Sequence, residues 1–189
     1  ASGKVRRKAP SNIALVKYWG KKENQIPANP SISYTLDACA TTTTVSFQRM
    51  EEPRDSFSLE FFFEGKAKED FKPKILTFFE RIEKYVSYLK AYQWTIVTSN
   101  SFPHSSGIAS SACGMAALAL CIVSLENSGN QEMSEDYFNQ KASFLARLGS
   151  GSACRSIEGD LIQWGTTNGI PKSTDLFGVA YPFEVHQNF

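Results

Sequence analysis

The sequence predicts a single α+β domain, and three observations favour it. Short β-rich runs separated by turn residues fill the N-terminal third, and the apolar spacing changes to that of a helix at residue 71. The chain has no internal repeat and no low-complexity linker. Its 189 residues, 42% apolar and 21% charged, suffice for one domain with a hydrophobic core and argue against disorder.

The strands are predicted from β-branched and aromatic runs that are bounded by turn residues. The predicted strands are Asn12 to Trp19, Ser31 to Leu36, Thr41 to Phe47, Ser56 to Phe63, Trp94 to Thr98, Asp160 to Trp164 and Val179 to Phe183. Two prolines and two asparagines between residues 24 and 30 predict a turn. The N-terminal half is therefore expected to form an antiparallel, hairpin-rich sheet.

Three helices are predicted. Apolar residues from Phe71 to Leu89 recur with the i, i+3, i+4, i+7 spacing of an amphipathic helix. A second helix is predicted from Ser110 to Leu125. Ser134 is a predicted N-cap, and the helix that it opens is expected to run to Leu148 and stop at Gly149.

Composition excludes several functional classes. The net charge of +1 favours neither nucleic acid nor an acidic membrane surface as a partner. The four cysteines have no C-x-x-C spacing and only two histidines are present, so no metal site is expected. No apolar run of ~20 residues is expected to span a membrane, and no apolar leader follows the basic N-terminus. We expect a cytoplasmic protein with reduced thiols.

The first candidate ligand-binding segment runs from Pro103 to Ala112, where a glycine- and serine-containing loop leads into the second predicted helix. A helix N-terminus leaves its first backbone N–H groups unpaired and carries partial positive charge, which suits an anion. The chain contains no G-x-x-x-x-G-K-[ST] phosphate loop. Taken alone, the segment fits a phosphate site and a closely packed helix start equally well.

Two further segments have the same character. Gly149 to Ser156 combines two glycines and three serines with Arg155, whose planar guanidinium suits a carboxylate or phosphate. Lys17 to Lys21 places two lysines at the end of a predicted strand. Each segment alone also fits a flexible connection or a solvated edge, but all three are of a kind that binds anions.

The three segments together resemble a known family. Pro103 to Ala112 resembles the P-x-x-x-G-L-x-S-S-A loop of the GHMP kinase superfamily, with Ile108 in place of leucine. The segments Asn12 to Lys21 and Gly149 to Ser156 resemble signatures of the mevalonate diphosphate decarboxylases. Pro30 to Leu36 is similar to that family's N-S-S-I-S-x-T-L stretch, with Pro30 where a serine is usual. The resemblance covers nearly the whole chain.

The resemblance implies that residues 1–189 form a GHMP-kinase-type N-terminal domain, of the ribosomal-protein-S5-domain-2-like type, which binds ATP and substrate. This fold has an antiparallel-rich sheet with helices packed on one side. Family members convert 5-diphosphomevalonate and ATP to isopentenyl diphosphate, ADP, phosphate and carbon dioxide in the mevalonate pathway. Mg²⁺ is expected with ATP, and family members are commonly homodimers.

Roles are implied only where the motifs match. Lys17 and Arg155 are the implied catalytic residues, Lys17 near the transferred phosphoryl group and Arg155 on the substrate carboxylate. The implied substrate-binding residues are Tyr18, Trp19, Gly20, Lys21, Lys74, Ser150, Gly151, Ser152, Ala153, Cys154 and Arg155. The implied ATP-binding residues are Pro103, Ser106, Gly107, Ala109, Ser110 and Ser111. None is implied to ligate a metal.

The family's C-terminal half, with an essential aspartate and a second substrate-facing arginine, has no counterpart in these residues. We therefore expect the sequence to be cut short and the 189-residue chain to be inactive by itself. Within the superfamily, the alternatives are a mevalonate-monophosphate decarboxylase and a mevalonate kinase-like relative. A non-catalytic nucleotide- or anion-binding module is the alternative from another class.

Overall fold

The structure, a computed structural model, describes residues 1–52, 54–103, 110–129 and 133–188. Its strands are β1 (Ser2–Val16), β2 (Ser31–Arg49), β3 (Ser58–Phe63), β4 (Lys66–Ala67), β5 (Tyr92–Asn100), β6 (Leu161–Trp164) and β7 (Val179–Ala180). Its α-helices are α1 (Lys72–Ile82), α2 (Ser110–Gly129) and α3 (Glu135–Gly149). Short 3-10 helices lie between these elements, among them residues Gly151–Ser156.

One mixed sheet is organised around β2. Along one edge, β1 pairs with β2 over nearly its whole length. Along the other edge, residues 31–34 pair with β6 and residues 41–49 pair with β5. The sheet continues from β5 to β3 and β4, and from β6 to β7. Every pair is antiparallel except β3 with β5, which confirms the predicted α+β, antiparallel-rich fold.

Beyond shifts of one or two residues at strand ends, four strands differ from the prediction: β4 was not predicted, β7 ends at Ala180 and not at Phe183, and the larger differences are in β2 and β1. The segments predicted as two strands, residues 31–36 and 41–47, form the single strand β2. Pro10 pairs with Ala40 whereas Ser11 pairs with Leu36, so the residues between Leu36 and Ala40 form a bulge that bends β2 without ending it. In addition, β1 begins at Ser2 and ends at Val16, so residues 17–19 leave the sheet.

The helices enclose the core. α2 packs against β1, β2 and α3, and α1 packs against α3 and β3. The largest fully buried side chains include Trp94, Phe78 and Leu145. α1 ends at Ile82, well before Leu89, and the chain continues in tighter turns, in which the backbone N–H groups of Tyr85 and Val86 donate to the carbonyls three residues earlier. Leu89 remains buried, so the apolar spacing past residue 82 reflects burial and not helix.

In the described ranges, one helix segment, Ser110–Ser128 of α2, is long and apolar enough to cross a membrane. This corrects the expectation that no stretch of the chain meets that criterion. A buried core helix meets it as well, and 56% of this segment is buried inside the molecule. Ala116 and Ile122, for example, are fully enclosed by the sheet and α3. Packing in the core accounts for the apolar character of α2.

Candidate active site

A cleft of about 530 Å³ lies where β1 ends and the 3-10 helix Gly151–Ser156 begins. Its lining residues are Asn12, Ile13, Ala14, Lys17, Tyr18, Ser152 and Arg155. The structure therefore brings two of the three predicted segments together, although more than a hundred residues of chain separate them.

Local hydrogen bonds hold the 3-10 helix against β1. The backbone N–H of Ala153 donates to the Ser150 carbonyl at 2.8 Å, which opens the turn directly after α3. The side-chain amide of Asn12 then donates to the Ser152 carbonyl at 3.2 Å and to the Ser156 hydroxyl at 2.7 Å. Asn12 is 4% exposed, so these bonds are shielded from water and fix the turn beside the cleft.

Arg155 is the most constrained side chain of the cleft, with 3% of its surface exposed. Its Nε donates to the Ser33 hydroxyl at 2.8 Å, and its Nη1 donates to the Ser31 hydroxyl at 2.6 Å. Both serines lie on the same face of β2, because alternate residues of a strand share a face. The rings of Tyr18 and Trp164 lie 5.6 and 5.7 Å from the guanidinium carbon.

The charge of Arg155 has no carboxylate beside it among the described residues, whose ion pairs all lie elsewhere. Burial lowers the pKa of the Arg155 guanidinium, with Cys154 and Tyr18 opposing that change. Arginine nevertheless stays protonated in proteins, because its ordinary pKa lies far above neutrality. A buried cation that faces a cleft and contacts two hydroxyls and two aromatic rings favours an anionic ligand.

The Lys17–Lys21 segment contributes Lys17 and Tyr18 to the lining of the cleft. The Tyr18 ring meets the Trp164 ring edge-on, with centroids 4.9 Å apart. The Lys21 ammonium lies 5.8 Å from the centroid of the Tyr18 ring, so Tyr18 contacts the cations of Lys21 and Arg155. Lys17 lines the cleft and is exposed.

Other implied substrate-binding residues occupy different positions. Gly151, Ala153 and Cys154 are buried beneath the cleft, and Ser150 is half-buried at the end of α3. Burial raises the pKa of Cys154 to about 12, so its thiol is neutral. These residues form the turn that presents Ser152 and Arg155.

Trp19 and Gly20 lie on the outside of the loop that follows β1. The Trp19 side chain is 82% exposed. The Gly20 carbonyl accepts a hydrogen bond from the Ala28 backbone N–H at 3.0 Å, a normal length for an N–H···O bond. Both residues therefore shape the loop that carries Tyr18 and Lys21.

A second cavity, of about 280 Å³, lies beside the start of α2. Aromatic and aliphatic side chains from β3, β5, α1 and α2 form most of its wall, and its polar residues include Lys74, Thr98, Asn100, Ser110 and Ser111. Lys74 thus lies with the implied ATP-binding serines and not in the Arg155 cleft. Pro103 is exposed, and Ser106, Gly107 and Ala109 lie outside the described residues.

No group of three or more histidine, cysteine, aspartate or glutamate side chains among the described residues is placed to hold a metal ion. All four cysteines are free thiols. The polar groups that line the two cavities are instead hydroxyls, amides and cations, which suit anionic ligands.

Comparison with known proteins decides the family. Residues 9–175 match the model of the diphosphomevalonate decarboxylase-like N-terminal domain. The chain belongs to this family. This confirms the family predicted from the three sequence segments.

Curated relatives and solved structures agree with the family model. The chain is 35% identical over 170 residues to diphosphomevalonate decarboxylase of Gibberella zeae, matching 82% of this chain and 42% of the relative. The enzyme of Candida albicans is 37% identical over 169 residues, with 82% and 43% matched. The chain spans about two fifths of the length of these relatives.

A structure of the mevalonate diphosphate decarboxylase from Enterococcus faecalis is similar to 96% of this chain, with a TM-score of 0.74 and 32% identity. The match covers 52% of that protein's chain. A structure called MDDEF, in complex with MVAPP, AMPPCP and magnesium, gives the same TM-score and identity and covers 96% of this chain and 51% of its own.

Sequence reasoning assigned no role to Asn12, Ser31, Ser33 or Trp164. The two serines stand two positions apart in a β-rich run, a spacing that places both hydroxyls on one face of the strand. That signal could have identified them as a pair. Nothing local indicated their partner, because Arg155 lies more than a hundred residues away in the sequence.

Proposed function

We propose that this chain is the N-terminal part of an enzyme that decarboxylates 5-diphosphomevalonate with ATP to give isopentenyl diphosphate. The observation that carries the proposal is Arg155, a buried cation without a carboxylate partner among the described residues, at the wall of an open cleft. The family and its enzyme relatives support the same assignment.

The cleft has the groups that the substrate requires. Arg155 would hold the substrate carboxylate, because Ser31 and Ser33 fix its orientation and leave further guanidinium N–H groups for a ligand. Ser152, which lines the cleft, and Lys21, which lies beside the Tyr18 ring, would bind the diphosphate. Lys17 would lie near the transferred phosphoryl group and offset its charge.

The second cavity would hold ATP. Its apolar wall suits a purine base, while Ser110, Ser111 and Lys74 provide polar groups for the ribose or phosphates. The complex of the similar protein MDDEF with MVAPP, AMPPCP and magnesium supports a separate site for each of two ligands. Mg²⁺, which neutralises charge on transferring phosphates, would enter with ATP, since the described residues hold no cluster of metal ligands.

The reaction would begin with phosphorylation of the tertiary 3-hydroxyl by ATP. Loss of that phosphate and of carbon dioxide would then form the double bond. In this reaction Arg155 would fix the carboxylate, and hence the C–C bond that breaks, while the rings of Tyr18 and Trp164 lie beside its guanidinium. The aspartate expected near the 3-hydroxyl would come from the C-terminal half, so the 189-residue chain alone is expected to be inactive.

The proposal includes a cytoplasmic, homodimeric protein that uses neither nucleic acid nor a membrane as a partner. The net charge of +1 supports the absence of a polyanionic partner. The enclosed position of α2 in the core supports the absence of a membrane partner.

The test is an assay of the full-length protein with ATP and either 5-diphosphomevalonate or mevalonate monophosphate. Carbon dioxide release that requires ATP and strongly favours the diphosphate supports the proposal. Preference for the monophosphate identifies the alternative decarboxylase, and ADP formation without carbon dioxide identifies a kinase. ATP binding without turnover identifies a non-catalytic module. Carbon dioxide release by the 189-residue chain alone would contradict its expected inactivity.

The nucleotide cavity gives a prediction at Gly114, which lines it on α2 and would have no atom within 4 Å of an added Cβ. Gly114→Leu should fill the cavity and weaken AMPPCP binding at least tenfold, while inorganic diphosphate binding is unchanged. Gly114→Ala should instead stabilise the fold by up to about 1 kcal/mol, because glycine disfavours a helix interior.

Calorimetric titration of the chain with each ligand and urea unfolding give the two readouts. Gly169→Ala, at an open position outside both cavities, is the control. Unchanged AMPPCP affinity in the leucine variant would show that the nucleotide does not occupy this cavity.

A further inference from the structure

The loop between β1 and β2 carries three side chains of the cleft region, Lys17, Tyr18 and Lys21, and its two ends come together at Asn29. The Asn29 Oδ1 accepts a hydrogen bond from the backbone N–H of Trp19 at 2.6 Å. The Asn29 Nδ2 donates to the Lys17 carbonyl at 3.1 Å. One side-chain amide therefore bonds the backbone on both sides of Tyr18.

These two bonds replace the sheet ladder. β1 ends at Val16, so the backbone groups of the next residues have no strand partner in β2. Backbone N–H and C=O groups need partners, and a segment without them samples many conformations. The bonds to Asn29 fix the segment that directs the Tyr18 ring to Trp164 and places Lys17 at the cleft.

Asn29 is itself held in place. Its Nδ2 also donates to the Pro30 carbonyl at 2.8 Å. The following proline restricts Asn29 to extended backbone conformations, since a helical one would clash with the proline ring. Pro30 stands where the family usually has a serine, and it makes the orientation of Asn29 less variable.

The far end of the loop is anchored independently. Arg147, which is 2% exposed, donates hydrogen bonds to the Asn24 carbonyl and, at 2.7 Å, to the Leu176 carbonyl. The Lys22 backbone N–H donates to the Ile26 carbonyl at 2.7 Å. Replacing Asn29 would therefore release the base of the loop without releasing all of it, so the protein is expected to stay folded.

We propose that Asn29 is a positioning residue of the active site, whose amide orients Lys17 and Tyr18 toward the ligand. The inference rests on the proposed function for the identity of the ligand. Asparagine suits the position because one side chain supplies both an acceptor and a donor. Aspartate would keep the acceptor for Trp19 and lose the donor to Lys17, whereas alanine would lose both.

The test uses the 189-residue chain and three variants, Asn29→Ala, Asn29→Asp and the control Asn168→Ala, an exposed asparagine between β6 and β7. Amide hydrogen exchange at Trp19 should be at least tenfold faster in Asn29→Ala and near the wild-type rate in Asn29→Asp. The nuclear Overhauser contact between the Tyr18 and Trp164 rings should disappear in Asn29→Ala. Both signals should be unchanged in Asn168→Ala.

Binding gives the functional readout. Inorganic diphosphate should bind at least tenfold more weakly to Asn29→Ala than to the wild type, and AMPPCP binding should be unchanged. A retained contact between the Tyr18 and Trp164 rings, or an unchanged diphosphate affinity, would overturn the proposal. If the wild-type chain does not bind diphosphate, the proposed function fails instead, and the ring contact alone decides the role of Asn29.

Discussion

Replacing Arg155 by alanine in the full-length protein is expected to lower kcat/KM about 10²–10³-fold, because a buried charge-assisted contact made in the transition state contributes about 3–4 kcal/mol. Arg155 is the cation that the cleft encloses most completely, and Ser31 and Ser33 orient it before any ligand binds. The loss should therefore appear mainly in kcat. Steady-state carbon dioxide release over a range of 5-diphosphomevalonate concentrations measures it.

Arg155→Lys distinguishes orientation from charge. Lysine keeps the charge but lacks the planar group that bonds Ser31 and Ser33 together, so it should recover little activity. Arg49→Lys, an exposed position at the other end of β2, is the matched control and should be neutral. AMPPCP affinity should be unchanged in all three variants, since the nucleotide cavity is separate. Activity of Arg155→Lys within threefold of the wild type would contradict this role of the guanidinium.

Gly165→Ala is expected to have the largest effect on stability, with a loss of about 2–5 kcal/mol in the free energy of unfolding. Gly165 has a φ of +103°, a conformation that side chains strongly disfavour. An added Cβ would also lie 2.7 Å from the Pro30 Cα, a backbone atom that cannot move away alone. Strain and overlap therefore add at one position.

Urea unfolding of the chain measures the loss, and Gly169→Ala, which meets no atom within 4 Å, is the control. Pro30 precedes Ser31, so the displaced backbone should also disturb the hydroxyl that holds Arg155. If Gly165→Ala unfolds at the same urea concentration as the wild type, the close approach of Gly165 and Pro30 is wrong.

Elements that are defined by neighbouring residues could be predicted from the sequence. The cap of α3 is an example: the Ser134 hydroxyl accepts from the Tyr137 backbone N–H at 3.3 Å, as an N-cap should. The core positions of α1 were also predicted, because helical spacing identifies a buried face within a few turns. In both cases the interacting groups lie close together in the chain.

Features that depend on distant pairing could not be predicted. The parallel pairing of β3 with β5 requires α1 to cross between them, and no residue in either strand specifies its partner. The continuity of β2 through its bulge depends on β1, which supplies the shifted register.

The candidate site also combines residues that the sequence indicated with residues that only the structure identifies. The sequence segments identified Lys17, Tyr18 and Arg155 as neighbours through resemblance to a family. The two serines that support Arg155, Ser31 and Ser33, became evident only in three dimensions, since each bond joins residues from different parts of the chain. Lys74 was assigned to the substrate from its place in the sequence, whereas the direction of α1 places it in the other cavity.

The unbroken course of β2 gives the molecule a fixed internal spacing. Its first residues hold Arg155 through Ser31 and Ser33, and further along Thr41 bonds the side chain of Asn100 at 2.7 Å, in the wall of the second cavity, where we propose that ATP binds. Phosphoryl transfer requires the donor and the acceptor oxygen to lie in line at a set separation. Because one continuous strand supports both proposed binding sites, it would keep the separation between the two ligands constant while the loops around the sites move.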